Sequence, residues 1–220
     1  DLHFRPFLNG KRLLTSQTFR SLFRSEVIKA SEGIGVKDIT LLFTDLKGST
    51  ALYDRIGDLN AFSLVQQHFD RLQDVTAANN GTVVKTIGDA VMAAFMNPAD
   101  AVKAAVAMLD EMEGFNRDHS DRLMILKIGL HKGASIAVTL NDRLDYFGQA
   151  VNIAARIQSL AQAEEIYLSQ EIHDYPGVEQ LLEGFTVERR MAHLKGVNLE
   201  MPVFRVSVRN GPEAKTGRAA

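Results

Sequence analysis

The chain has 220 residues, a formal net charge of −2, 45% apolar and 24% charged residues, and no cysteine. That length suits one domain with appendages, whose core buries about 70% of the unfolded surface. The near-neutral charge gives no bulk electrostatic reason to hold nucleic acid, and the missing cysteines exclude disulfides, thiolate nucleophiles and Cys-ligated metal centres.

Residues 1–36 read as a leader, 37–208 as a patterned body and 209–220 as a small, polar, disordered tail. The leader carries Arg5, Lys11, Arg12, Arg20, Arg24 and Lys29 against Asp1 and Glu26, which serves either as a solvated face or as a partner or membrane contact. Phe19, Leu22, Phe23, Val27 and Ile28 recur at helical spacing, so Gln17–Lys29 is expected to be an amphipathic helix, broken by Gly33 and Gly35. The chain opens on Asp1 without a signal-peptide pattern, as a piece of a longer protein would. No apolar run reaches the roughly 18–20 residues of a membrane-spanning helix, and a cytoplasmic location is expected.

The body opens on KDITLLFTDL (Lys37–Leu46), an apolar β-rich run that predicts a buried strand. Ser49 or Thr50 is expected to cap the helix that follows, and a second helix over 58–78 places Phe62, Val65, Phe69 and Leu72 on one face. After a turn at Asn79-Asn80-Gly81, TVVKTIG and AVMAAFM flank Asp89 as a hairpin, and Asn97-Pro98 opens an alanine-rich helix to about Glu113. Leu123–Leu140 predicts one or two strands, Gly148–Leu160 a helix and Glu165–Ser169 a strand. Two short strands near 185–195 and 202–208 close the body, and the alternation predicts an α+β sheet domain.

Three segments hold chemistry. In FTDLKGST (Phe43–Thr50) a strand delivers Asp45 to a glycine turn that enters a helix. The backbone amides there, at Gly48, Ser49 and Thr50, suit a polyphosphate, and the carboxylate suits Mg²⁺; a helix cap explains the same residues. In KTIGDAVMAAF (Lys85–Phe95), Asp89 alone reads as turn chemistry or, if Asp45 lies on a neighbouring strand, as half of a site for two cations about 3.5–4 Å apart. Lys85 is harder to explain by structure alone, because so apolar a strand should exclude an ammonium. In DYFGQAVNIAARI (Asp145–Ile157), Asn152 and Arg156 share a helical face, where the guanidinium either recognises an anion or pairs with a structural carboxylate. His131 has no metal-ligand spacing around it and reads as a structural histidine, and Met92, Met96, Met108 and Met112 as core filler. The chain lacks a GxxxxGK[ST] loop, a GxGxxG turn and a GxSxG elbow.

In this order, with Lys–x–x–Gly–Asp and Asp–x₆–Asn–x₃–Arg intact over about Asp38–Val208, the segments resemble the catalytic domain of class III adenylyl and guanylyl cyclases. The leader's FRSLFRSE also resembles a bacterial subgroup in which another, regulatory domain lies upstream. The resemblance implies a ferredoxin-like βαββαβ core with additional strands. It implies two divalent cations, Mg²⁺ or Mn²⁺, on Asp45 and Asp89, and adenine read by Lys85 and Asp145. Asn152 would orient the ribose, Arg156 would stabilise the α-phosphate, and Lys195 in HLKG would touch the triphosphate. The implied activity is conversion of ATP to 3′,5′-cyclic AMP and pyrophosphate at the interface of a homodimer, for second-messenger signalling. Guanylyl preference, or a degenerate module that binds nucleotide or merely dimerises, are the alternatives.

Overall fold

The computed structural model describes residues 10, 15–18, 33–118, 124–140, 143–195 and 200–208. Most of the expected leader helix and the whole tail lie outside them. The elements run β1 (Ile34–Lys47), α1 (Ser49–Ile56), α2 (Asp58–Ala78), β2 (Gly81–Ile87), β3 (Ala90–Phe95), α3 (Pro98–Asp118), β4 (Ile125–Leu140) and β5 (Arg143–Phe147). There follow α4 (Gln149–Gln158), β6 (Glu165–Ser169), the short helices α5 (Gln170–His173) and α6 (Val178–Leu181), then β7 (Phe185–His193) and β8 (Glu200–Val208). β1 starts three residues before the expected strand and takes in Gly35.

All strands join one sheet ordered β2-β3-β1-β4-β6-β8-β7, with β5 paired to β4. Its first four strands, with helices between β1 and β2 and between β3 and β4, are the ferredoxin-like βαββαβ unit; β4–β6 is the one parallel pair among the described residues. The run expected to form one or two strands holds a single long one, Ile125–Leu140, because β4 serves two neighbours along one edge. Its first half pairs with β6 and its second half folds back on β5, while β1 runs along the other edge.

The sheet has two unlike faces. On one, Leu42, Phe95, Leu126, Ile128 and Ile166 pack under α2 and α3, whose Leu72, Ala101, Ala104, Ala105 and Met108 are fully buried. Asn97 caps α3 through a 2.8 Å bond from the Ala99 amide, and Pro98 takes the first helical position, where no amide is needed. On the other face Ile39, Leu41, Phe43, Met92 and Tyr146 pack under α4. That helix lies close because β4 has no side chain at Gly129: a Cβ there would meet the Gln158 backbone nitrogen at 2.2 Å.

Two local expectations change. No side chain caps α1; its N-cap is Gly48 at φ 76, so the hydroxyls of Ser49 and Thr50 fall inside the first turn, past the capping position. Phe62 is 56% exposed while Val65 and Leu72 of the same stripe are buried, because it stands over a cavity beside α1 and not over the sheet. Met92, Met108 and Met112 fill the core as expected, and Met96 is half-buried.

Candidate active site

The ends of β1 and of the β2–β3 hairpin are fastened together. β1 and β3 pair from Thr40↔Phe95 to Phe43↔Met92, and the Thr44 hydroxyl then accepts a 3.1 Å bond from the Val91 amide. Carried two residues past the last pair, that register sets Asp45 opposite Ala90, the neighbour of Asp89. The hairpin turn is Gly88-Asp89, with positive φ on the glycine alone, as in a type II′ turn. Turn chemistry therefore needs Gly88 and leaves the Asp89 side chain free for other work. Its Oδ2 is buried and has no hydrogen-bond partner, which is costly for a carboxylate unless something else binds it. Asp89 also borders a cavity of about 490 Å³ that Ser49, Thr50, Phe62, Phe69 and Gly88 help to line, so the two segments expected to hold phosphate and cation meet in one place.

Asp45 is held differently. It stands opposite Lys127 in the β1–β4 register, and the two form an ion pair. Lys127 is a partner of Asp45 that the sequence reading missed. The signal was available, since LKIGL puts an ammonium in an apolar strand as KTIG does for Lys85. Among the described residues no group of three or more His, Asp or Glu side chains could hold a metal. Two carboxylates, one with an orphaned buried oxygen, fit Mg²⁺ or Mn²⁺ only if a ligand's oxygens complete the shell.

Lys85 and Asp145 come together across the fold. Their side chains join at 2.6 Å although 60 residues separate them, and Asp145 Oδ1 also accepts a 2.7 Å bond from the Tyr146 amide. The Lys85 ammonium lies 5.6 Å from the centre of the Phe147 ring. What brings them together is the second half of β4, which carries β5 back towards β2 on the α4 face.

Asn152 and Arg156 sit one turn apart on α4, whose Ala150, Ala154 and Ile157 are buried. Asn152 is exposed and Arg156 half-buried, and neither makes a hydrogen bond or ion pair with another described residue. Lys195 is exposed just past β7, next to Leu194, which packs in one cluster with Ile157 of α4. Followed strand by strand, the register puts that end of β7 at the end of the sheet opposite Asp45. Within one chain the structure therefore couples Asp45 with the Asp89 turn, and Lys85 with Asp145. No hydrogen bond or ion pair among described residues links these two groups to each other, or either of them to Asn152, Arg156 or Lys195.

His131, expected to be a structural histidine, is buried as that reading requires, but its Nδ1 makes no hydrogen bond with a described residue. That nitrogen lies 3.7 Å from Glu171, and burial lowers the His131 pKa while the Glu171 carboxylate partly offsets that.

Residues 34–206 match the adenylate and guanylate cyclase catalytic domain. The chain belongs to this family. It is 31% identical over 147 residues to "Putative adenylate cyclase 3" of Rhizobium meliloti, an alignment that takes in 66% of this chain and 24% of that protein. It is 26% identical over 214 residues to a "pH-sensitive adenylate cyclase" of Mycobacterium tuberculosis, across 91% of this chain and 50% of that one. The chain thus spans half or less of these curated relatives. The crystal structure of the adenylyl cyclase CyaB from P. aeruginosa superposes with a TM-score of 0.67 at 23% identity, over 80% of this chain and 95% of that one. The guanylate cyclase domain of RhGC from Catenaria anguillulae gives 0.69 at 20% identity, over 80% and 99%. Both share the fold, so this cyclase domain has the class III architecture. No helix among its described residues is long and apolar enough to cross a membrane.

Proposed function

We propose that this cyclase domain is an adenylate cyclase, converting ATP to 3′,5′-cyclic AMP and pyrophosphate in the cytoplasm for second-messenger signalling. The observation that carries the base preference is the Lys85–Asp145 pair. Adenine presents a bare N1 and an exocyclic amine, so it takes a donor from Lys85 and an acceptor from Asp145. Guanine presents an N1–H and a carbonyl and would leave both groups mismatched.

The remaining roles are those the family resemblance implies. The first-turn amides of α1 at Gly48, Ser49 and Thr50 face no side-chain cap and suit the polyphosphate. Asp45 and Asp89 would hold two divalent cations, Mg²⁺ or Mn²⁺. Bound there, these ions would favour ionisation of the ribose 3′-hydroxyl and offset charge on the departing pyrophosphate. Asn152 orients the ribose. The 3′-oxygen then forms its bond to the α-phosphorus as the α–β phosphoanhydride bond breaks and the hydroxyl proton is lost. Arg156 donates two parallel N–H bonds to the phosphoryl oxygens as their charge grows, and Lys195 contacts the triphosphate.

These groups meet in a homodimer. Asn152 and Arg156 point away from their own sheet, and Ile136, Leu140 and Phe147 leave an apolar surface exposed on the β4–β5 arm for a second copy to cover. Asp45 and Asp89 come from one protomer, and Lys85, Asp145, Asn152, Arg156 and Lys195 from its partner, with an upstream domain regulating the pair.

Chromatography of the products after incubation with ATP or GTP plus Mg²⁺ or Mn²⁺ tests the reaction, with Asp45→Ala as control. Cyclic AMP and pyrophosphate should appear together and vanish in the variant. Mixing inactive Asp45→Ala with inactive Arg156→Ala should restore activity, because each mixed dimer has one intact site. A mixture that dimerises and stays inactive would refute the shared site.

A further inference from the structure

β2 is an edge strand, with no strand beyond it among the described residues. Gln17 of the leader lies against it. The Gln17 side-chain oxygen accepts two bonds there, 2.6 Å from the Thr82 hydroxyl and 3.1 Å from the Val83 amide. One carboxamide thus stands where a strand's carbonyl would, at a point where an unpaired amide would otherwise be lost to the ladder.

The position matters because the next residue is irregular. β2 pairs with β3 as Thr82↔Ala94 and Val83↔Ala93, then resumes at Lys85↔Met92, leaving Val84 as an extra residue. Such a bulge re-aims side chains. Val83 packs with the α2–α3 core, whereas Val84 and Met92 both belong to the cluster under α4. With strict alternation Lys85 would follow Val83 onto the α2–α3 face, among residues such as Val91 that are buried there. The bulge instead turns its ammonium to the α4 face, where it meets Asp145. Gln17 adds a fastening on the outer side of the bulge, away from β3.

We propose that Gln17 is a positioning residue for base recognition. By holding the Val83 amide at the entrance to the bulge it sets the Lys85 ammonium against Asp145, so that docking of the leader and selection of adenine are coupled. The inference rests on the reading of Lys85 and Asp145 as the base-reading pair.

The test compares Gln17→Met, which keeps length and loses the acceptor, with Gln17→Glu, which keeps both. Calorimetry with 3′-deoxy-ATP and 3′-deoxy-GTP, which lack the attacking hydroxyl, reads binding without turnover. Hydrogen exchange over residues 81–87 reads the strand. Gln17→Met should raise the dissociation constant of 3′-deoxy-ATP about five- to tenfold, the worth of one well-placed hydrogen bond. It should leave the guanine analogue within about twofold and speed exchange at Val83. Gln17→Glu should match the parent in all three, and the urea midpoint should not separate the variants. Faster exchange at Val83 with unchanged binding of 3′-deoxy-ATP overturns the positioning role and leaves Gln17 as an edge cover. A parent chain that binds the guanine analogue as tightly as the adenine one, or binds neither, overturns the base-reading pair itself and the coupling with it.

Discussion

The two faces of the sheet are built from different materials. Under α2 and α3 the contact is alanine, leucine and methionine, and the polar groups there are few: the Thr76 hydroxyl is absorbed by the Leu72 carbonyl at 2.6 Å, and the His68 ring rests 3.2 Å from the Met112 sulfur. Under α4 charges recur across the strands. Asp45 pairs with Lys127, Lys85 with Asp145 and Glu165 with Arg205, and Gly129 lets the helix down onto β4. The close-packed hydrocarbon beneath α2 and α3 fixes the fold, and the cavity that Asp89 borders opens only at its margin, where Phe62 and Phe69 stand beside α1. A face of paired charges contributes little net stability, since its ion pairs repay their own desolvation at best. What it offers instead is groups whose partners a ligand can replace.

The sharpest way to break this division is to damage each face and read both properties. Arg156→Ala should lower turnover about 10³-fold, worth roughly 4 kcal/mol in the transition state, with the urea midpoint unchanged. Phe95→Ala, at a fully buried ring on the other face, should cost about 3–5 kcal/mol of stability. Where the variant remains folded, it should keep its dissociation constant for 3′-deoxy-ATP. A large loss of stability from Arg156→Ala, or of affinity from Phe95→Ala in folded protein, would show that the faces are not separable.

The next effect is a pH dependence that belongs to the apolar face. Burial lowers the His68 pKa from 6.5 to about 4, because the ring must lose water to sit between α2 and α3. Folded, it is neutral. Below pH 6.5 the unfolded chain takes up a proton that the folded chain refuses until about pH 4, so stability falls as pH drops through that window. The drop should approach about 3 kcal/mol by pH 4, at 1.36 kcal/mol per pKa unit. His68→Leu should remove that part of the acid limb, measured as the difference between parent and variant urea midpoints from pH 7 to 4. Parallel curves would mean that His68 is hydrated and not desolvated.

Much of this was legible in the sequence, for reasons that differ by residue. Asp89, Asp45 and the hairpin were readable because turn chemistry and a strand's end are local. Lys85 was conspicuous because its neighbours are apolar. The extent of β4 was not readable, since one strand with two successive neighbours looks the same as two strands. Lys127 escaped because what gives it meaning is the Asp45 carboxylate 82 residues away, and cross-strand register leaves no local trace. The Val84 bulge escaped because an extra residue is defined only against β3. Phe62 was misplaced for a related reason: helical spacing identifies a stripe but not where the surface beneath it ends.

The smallest effects compare one chemical pair on the two sides. Arg71 and Glu111 bridge the outer surfaces of α2 and α3 with side chains 44% and 34% exposed, and the Arg71 guanidinium also lies 5.4 Å from the Phe115 ring centre. Arg205 and Glu165 are 24% and 7% exposed, and Glu165 also accepts a 2.9 Å bond from the Gln162 amide. Water screens the first pair and not the second. Arg71→Met should therefore change stability by less than about 1 kcal/mol, and by less still in 1 M NaCl, because its partner simply returns to solvent. Arg205→Met should cost more and respond less to salt, because the Glu165 carboxylate stays buried with one donor lost. Urea midpoints of both variants at low and high salt decide the matter. Equal costs with equal salt dependence would mean that Glu165 reaches water once Arg205 is gone, and that the charged face is open enough to rehydrate its own carboxylates.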